Sequence, residues 1–122
     1  MSRSNKEKGK KGEELAKRFL EKKGLKIAHR NWSCGFGEID IVAYDGNTLV
    51  FIEVKSSAGS TFGKPVEWVN VRKRKHIVKS AKQYLFDNSI EDINIRFDVV
   101  AIDLLTNKIQ HIPDAFICEE ES

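Results

Sequence analysis

The stretch GEIDIVAYDGNTLVFIEVK, Gly37 to Lys55, decides the fold. It reads as two apolar strands around a turn at Asp45-Gly46-Asn47, the chemistry of a β-hairpin. Yet its strands carry Glu38, Asp40, Glu53 and Lys55. Side chains alternate across a strand, so Glu38, Asp40, Val42 and Tyr44 share one face of the first strand. Leu49, Phe51, Glu53 and Lys55 share one face of the second. A turn at Gly46-Asn47 sets Tyr44 opposite Leu49, Val42 opposite Phe51 and Asp40 opposite Glu53. A turn at Asp45-Gly46 sets Glu38 opposite Glu53 instead. In either register two carboxylates face each other with Cβ atoms about 5 Å apart.

Like charges so placed repel, and burial strengthens the repulsion. A shared proton, which raises one pKa, relieves it. So does a divalent cation between hard oxygen ligands, with Mg²⁺ the usual case. Lys55 lies two residues past Glu53 on the same face and reaches the same spot. Two acids and a lysine make a site for phosphodiester hydrolysis, in which a metal polarises the phosphate and the lysine positions or helps to deprotonate a water. The plainer alternative is a structural salt bridge from Lys55 to Glu53 or Glu38.

Outward from the hairpin, Gly12, Leu15, Ala16, Phe19 and Leu20 form an apolar stripe at helical spacing, which predicts a helix from about Gly9 to Lys23 with Gly24 as its stop. Glu13 borders that stripe, while Glu14 sits with Lys17, Arg18 and Glu21 on the wet side. If a helix carboxylate joins the site it is Glu13; the alternative is an acid favoured by the helix dipole. Leu25 to Trp32 reads as a strand, and Ser56 to Pro65 as a Gly/Ser loop ending at a proline. A second helix is expected from Asn70, its N-cap, to about Phe86. Ile93 to Leu104 and the final KIQHIPDAF read as strands. The order is α-β-β-β-α-β-β, one sheet covered by two helices.

On the second helix Lys73 shares a stripe with Ile77, Ala81, Tyr84 and Leu85. It is therefore the member of Arg72-Lys73-Arg74-Lys75 expected to point inward, at a phosphate or as a snorkelling lysine. Arg72, Arg74 and Lys75 point outward and suit phosphate-backbone contacts, as do Lys10 and Lys11 in the basic N-terminal arm. Trp32 and Trp68 either stack on bases or fill core. Asp98 is expected to pair locally with Arg96. His29, His76 and His111 are scattered and show no ligand spacing.

The chain has 122 residues, 40% hydrophobic and 32% charged, with a net charge of +3. That suits a single domain, 1–122, with a disordered basic arm at 1–8 and an acidic tail at 118–122. Cys34 and Cys118 lie far apart and form no CxxC pair, so neither a zinc site nor a disulfide framework is indicated. No apolar run approaches a membrane span and no signal-peptide core is visible, so a cytoplasmic protein without membrane contact is expected.

A helix glutamate, then (D)-Xn-(D/E)xK on a hairpin, then a helix lysine resembles the PD-(D/E)xK nuclease superfamily. Within it, GEELAKRFLEKKGLKI, RNW, GEIDIVA, LVFIEVK, FGKP, AKQYL, RFDVVAI and HIPDAF are similar to the bacterial YraN-like family, from about Gly12 to Phe116. The resemblance implies an α/β domain of restriction-endonuclease-like fold, a central mixed β-sheet flanked by helices with an αβββαβ core. It implies a Mg²⁺-dependent (alternatively Mn²⁺-dependent) endonuclease acting on DNA, including branched or junction DNA, and working as a homodimer. Carried over residue by residue, Asp40 and Glu53 bind metal and Lys55 orients the water. Glu13 serves a second metal or an ordered water, and Lys73 matches the later helix lysine. Ile39 stands where the superfamily name has proline. The runner-up is a non-catalytic nucleic-acid-binding protein of the same fold, and a third reading is an interaction protein without nucleic-acid affinity.

Overall fold

In the computed structural model of the chain, residues 2–35, 37–57 and 69–116 are described, with side chains from Gly9 onward. The elements are α1 (Ser2–Lys22), β1 (Lys26–Cys34), β2 (Gly37–Asp45), β3 (Thr48–Ser57), α2 (Val71–Asp87), β4 (Asn94–Asp103) and β5 (Lys108–Phe116). The five strands form one open sheet in the order β1-β2-β3-β4-β5. Neighbours are antiparallel except β3 and β4, which run parallel. A parallel pair needs a crossover, and the segment carrying α2 supplies it. The result is the mixed α/β architecture expected, an αβββαβ core consistent with the restriction-endonuclease-like fold, extended by β5.

The central strand shows why the helices take opposite faces. Leu49, Val50, Phe51 and Ile52 of β3 are all buried, as a strand covered on both sides requires. Leu49 and Phe51 pack with Ile77, Ala81 and Tyr84 of α2. Val50 and Ile52 pack with Ala16 and Leu20 of α1. Each such side chain contributes about 1.5–3 kcal/mol when fully buried, so Leu20→Ala, which opens a cavity on the α1 side, costs about 2–5 kcal/mol.

Asp45 pairs with Thr48, so the hairpin turn is Gly46-Asn47 and Gly46 takes the positive φ (62°) that the turn requires. Of the two registers, this is the one with Val42 opposite Phe51. The ladder then stops at Ile41 opposite Ile52, while β3 goes on pairing with β4 as far as Ser57. The hairpin therefore forks at the level of Asp40. Ile39 joins the α2 cluster and Ile41 the α1 cluster, so the alternation of β2 breaks between them.

Helix α1 begins at Ser2, ahead of the start near Gly9 that the apolar stripe predicts. Apolar periodicity marks only where a helix meets its sheet; the lysines and glutamate ahead of Gly9 are helix formers and no proline interrupts them. Gly12 lies against Ser56 of β3, and a Cβ there would collide with the Ser56 hydroxyl. This close approach brings α1 to the forked end of the hairpin. Pro113 is tolerated in β5 because an edge strand leaves one row of amides unpaired. Most of the Gly/Ser loop, Trp68 and the acidic tail lie outside the described residues. Among those described, no helix is long and apolar enough to cross a membrane.

Candidate functional site

At the fork, β2 no longer offers β3 a carbonyl, and a side chain takes its place: Asp40 Oδ2 accepts the Val54 N–H at 2.8 Å. Continuing the hairpin register sets Glu53 across from Asp40. Glu53 is only 9% exposed, and its Oε2 meets Lys73 Nζ at 2.8 Å. Lys73 arrives there because Asn70 caps α2, its Oδ1 accepting the Lys73 N–H at 2.9 Å. The cap fixes the first turn and sends the lysine stem back over the sheet.

Two carboxylates in this corner raise the cost of ionising both. Burial pushes the Asp40 carboxyl up to about 7, and Glu53 beside it pushes the same way. The Val54 amide opposes the rise, Glu13 adds to it and Lys73 subtracts. The hydrogen bond to Glu53 in turn raises the Lys73 ammonium, with Asp40 and Glu38 contributing. Glu13 is thus within electrostatic reach of Asp40, placed there by the approach of α1 at Gly12. Glu14 turns outward, as its position on the wet side predicts, and pairs with Arg18 and Arg30 at 3.2 Å each.

The structure therefore gathers Asp40, Glu53 and Lys73, with Glu13 within electrostatic reach of Asp40. It does not bring Lys55 into contact: that side chain is exposed on β3, and among the described residues it forms no ion pair with Glu53 or Glu38. Glu38 is exposed as well. No three His, Cys, Asp or Glu side chains among the described residues cluster closely enough to hold a metal ion. The donor set at the fork is two carboxylates, a number Mg²⁺ accepts when substrate phosphates and waters complete its shell. Arg72 and Lys75 are exposed beside Lys73 on the first turns of α2, Arg74 is half-buried, and Lys10 and Lys11 are exposed on α1. Trp32 is half-buried and meets Tyr84 edge-on, ring centroids 5.2 Å apart, so it packs on the core.

A second acid, Asp98 of β4, is fully buried. Arg96 grips it through Nε and Nη2 at 2.9 Å each, the local pair expected from sequence. His111 Nε2 lies 2.8 Å from Oδ2 and the Asp114 N–H donates to Oδ1 at 2.9 Å. Lys23 Nζ lies 2.8 Å from His111 Nδ1, which makes Nδ1 the acceptor and Nε2–H the donor to Asp98. Burial would push Asp98 up, but these donors hold its carboxyl below the ordinary value. Sequence reasoning left His111 among the scattered histidines. Its only signal there is that a strand aspartate too deep for water needs more donors than one arginine.

Residues 12–102 match the Uncharacterised protein family UPF0102. A UPF0102 protein of Clostridioides difficile is 43% identical over 113 residues, covering 93% of this chain and 99% of its own. Another from Geobacter sulfurreducens is 43% identical over 118 residues, covering 94% and 92%. One from Syntrophus aciditrophicus is 44% identical over 110 residues, covering 88% and 87%. The chain belongs to the UPF0102 family.

Proposed function

We propose that this member of the UPF0102 family is a metal-dependent endonuclease of the PD-(D/E)xK type that hydrolyses phosphodiester bonds in DNA, branched or junction DNA included. The observation that carries the reading is the pairing of Asp40 with Glu53 at the fork. Asp40 satisfies the Val54 amide and Glu53 pairs with Lys73, but setting two carboxylates side by side costs the fold, since one of them is pushed up to about 7 by burial and by the other. A divalent cation removes that penalty.

The residues fit such an ion. One oxygen of each acid is engaged, by the Val54 amide and by Lys73. Asp40 Oδ1 and Glu53 Oε1 are the hard donors a cation would take. Bound there, Mg²⁺ or Mn²⁺ supplies Lewis acidity at the phosphoryl oxygens and lowers the pKa of a bound water. Lys55, exposed at the rim, orients the attacking water. Lys73 offers its ammonium to the phosphate, and Glu13 holds an ordered water or a second ion. A water oxygen bonds to phosphorus as one ester P–O bond breaks. The water's proton passes to a basic group at the site, and the departing alkoxide takes a proton from solvent. Arg72, Arg74, Lys75, Lys10 and Lys11 bind phosphates without reading sequence. A homodimer in the cytoplasm would match the two-fold symmetry of a junction.

One observation favours the non-catalytic binding reading instead. Among the described residues Glu53 is tied to a lysine and no third ligand joins the two acids. The experiment is cleavage of labelled duplex, single-stranded and four-way-junction DNA in Mg²⁺ or Mn²⁺, with an EDTA control. Cleavage that needs metal and falls at least about 100-fold in Asp40→Asn and Lys55→Ala, the loss expected for ligand or proton-transfer groups, supports the nuclease. Salt-sensitive binding without cleavage, unchanged in Asp40→Asn, gives the protein to the second reading.

A further inference from the structure

We propose that Lys73 is a latch on the metal site: it occupies Glu53 while no cation is present and must be displaced before one binds. The inference rests on the reading that Asp40 and Glu53 form the cation site.

Three features of the corner lead to it. The first is the pairing itself. Lys73 Nζ stands 2.8 Å from Glu53 Oε2, with Glu53 almost fully buried. Any ion coordinated by Glu53 and Asp40 sits within a few ångströms of that ammonium, and a monovalent and a divalent cation so close repel strongly in a partly buried corner. The second is where the lysine comes from. It belongs to the first turn of α2, capped by Asn70, and that turn contains no acid. A helix start is its positive end, where a cation is disfavoured; the Glu53 contact compensates that position only while the contact lasts. The third is the freedom of the lysine. Its side chain is 54% exposed against 10% for Glu53, so the lysine is the partner able to swing away. The other charged groups facing it are Asp40 and Glu38, both acids, and neither replaces Glu53 as a contact ligand.

Entry of the ion at Asp40 Oδ1 and Glu53 Oε1 therefore drives the ammonium off the neighbouring Oε2 by repulsion and frees it on a flexible stem beside the phosphate position. Lys73 is thus a positioning residue whose effect runs through Glu53. Metal affinity of the free protein is held low, and phosphate and metal help each other to bind, because the released lysine gains a new anion.

Titration of the metal-free protein with Mn²⁺ at pH 8, followed by the EPR signal of free Mn²⁺, tests this without any turnover. Lys73→Met removes the competitor and is expected to bind Mn²⁺ about tenfold more tightly than wild type, as loss of a nearby like charge predicts. Lys73→Arg keeps the charge and grips the carboxylate with a fork, so its affinity falls below that of wild type. A lysine that merely stabilised the fold would not move affinity in opposite directions. Equal or weaker binding in Lys73→Met, or equal or tighter binding in Lys73→Arg, overturns the latch. Lys73→Arg decides the question alone if the methionine variant does not fold. Asp40→Asn separates the two levels. Binding abolished there, with Lys73→Met unchanged from wild type, removes the latch and leaves the metal site standing. Mn²⁺ binding unaffected by Asp40→Asn removes the metal site itself.

Discussion

Asp98 and Asp40 are two acids withdrawn from water in one sheet, and they are treated in opposite ways. Asp98, on β4, receives two hydrogen bonds from Arg96, one from His111 and one from the Asp114 amide. Its carboxyl is held low. Asp40, on β2, receives one amide hydrogen bond and faces Glu53 and Glu13, and its carboxyl is pushed up to about 7. Every lone pair that a fold wants satisfied is satisfied at Asp98; at Asp40 the shortage is built in. The first is how a sheet tolerates a buried charge, and the second is the perturbed carboxyl on which the proposed cation site rests.

The largest effect is expected at the satisfied acid. Asp98→Ala leaves Arg96 with Asp45 alone and strands the donors of His111 and Asp114. Breaking a buried pair from one side costs about 3–5 kcal/mol, to be read as a drop in the urea midpoint at pH 7. The pH dependence follows from the lowered carboxyl. The contribution of Asp98 is complete above its unfolded value of 3.8 and is lost as pH falls through the lower folded value. Wild type should therefore lose stability toward acid at this residue, and the mutant should not. A loss under about 1 kcal/mol would mean the network is ornamental and the contrast false.

At Asp40 the sign reverses. A carboxyl raised from 3.8 to about 7 binds more protons folded than unfolded across that window, so stability falls as pH rises through it. Asp40→Asn keeps an oxygen for the Val54 amide and removes the charge. It should stabilise the protein by about 2 kcal/mol at pH 8, after discounting the full shift for solvent and coupling. The gain should fade as pH approaches 4, where the wild-type acid is itself neutral. Urea melts at pH 8, 6 and 4 on both proteins check it; an asparagine that destabilises at pH 8 would make Asp40 a structural acid like Asp98. Saturating Mg²⁺ should raise the wild-type melting temperature by several degrees, as binding at about 100 times Kd predicts, and leave Asp40→Asn unmoved.

Much of this contrast is legible in the sequence, for reasons that differ by residue. Alternation and the Asp45-Gly46-Asn47 turn suffice to face an acid of β2 with Glu53, because period two and a two-residue loop leave few registers. The helical stripe identifies Lys73 as the inward lysine for a similar reason, since α2 buries Ile77, Ala81 and Tyr84 on the same face. What stays hidden is non-local. The fork that gives Asp40 the Val54 amide depends on β3 leaving β2 for β4, and no local pattern encodes where a ladder ends. His111 reaches Asp98 through a strand pairing between β4 and β5. The early start of α1 is invisible to periodicity because residues 2–8 carry no apolar side chain.

The smallest stability effect is expected at Lys55, and it sharpens the contrast most. Strand alternation places Lys55 on the face of Glu53, which suggests a salt bridge. In the folded chain it is exposed, and among the described residues it touches no acid. The partner that alternation assigns to Lys55 has been taken by Lys73 from the neighbouring helix. Lys55→Ala should therefore change stability by less than about 0.5 kcal/mol, as for an ordinary surface position, measured by urea melts in the absence of metal. If the same variant also loses DNA cleavage in Mg²⁺, Lys55 is kept for chemistry rather than for folding, because a residue that costs nothing to remove has no structural reason to matter. If it is lost from the fold's stability instead, by 1 kcal/mol or more on the same scale, then Lys55 belongs with Arg96 as a structural cation. The corner at Asp40 would then need a different explanation for its excess of negative charge.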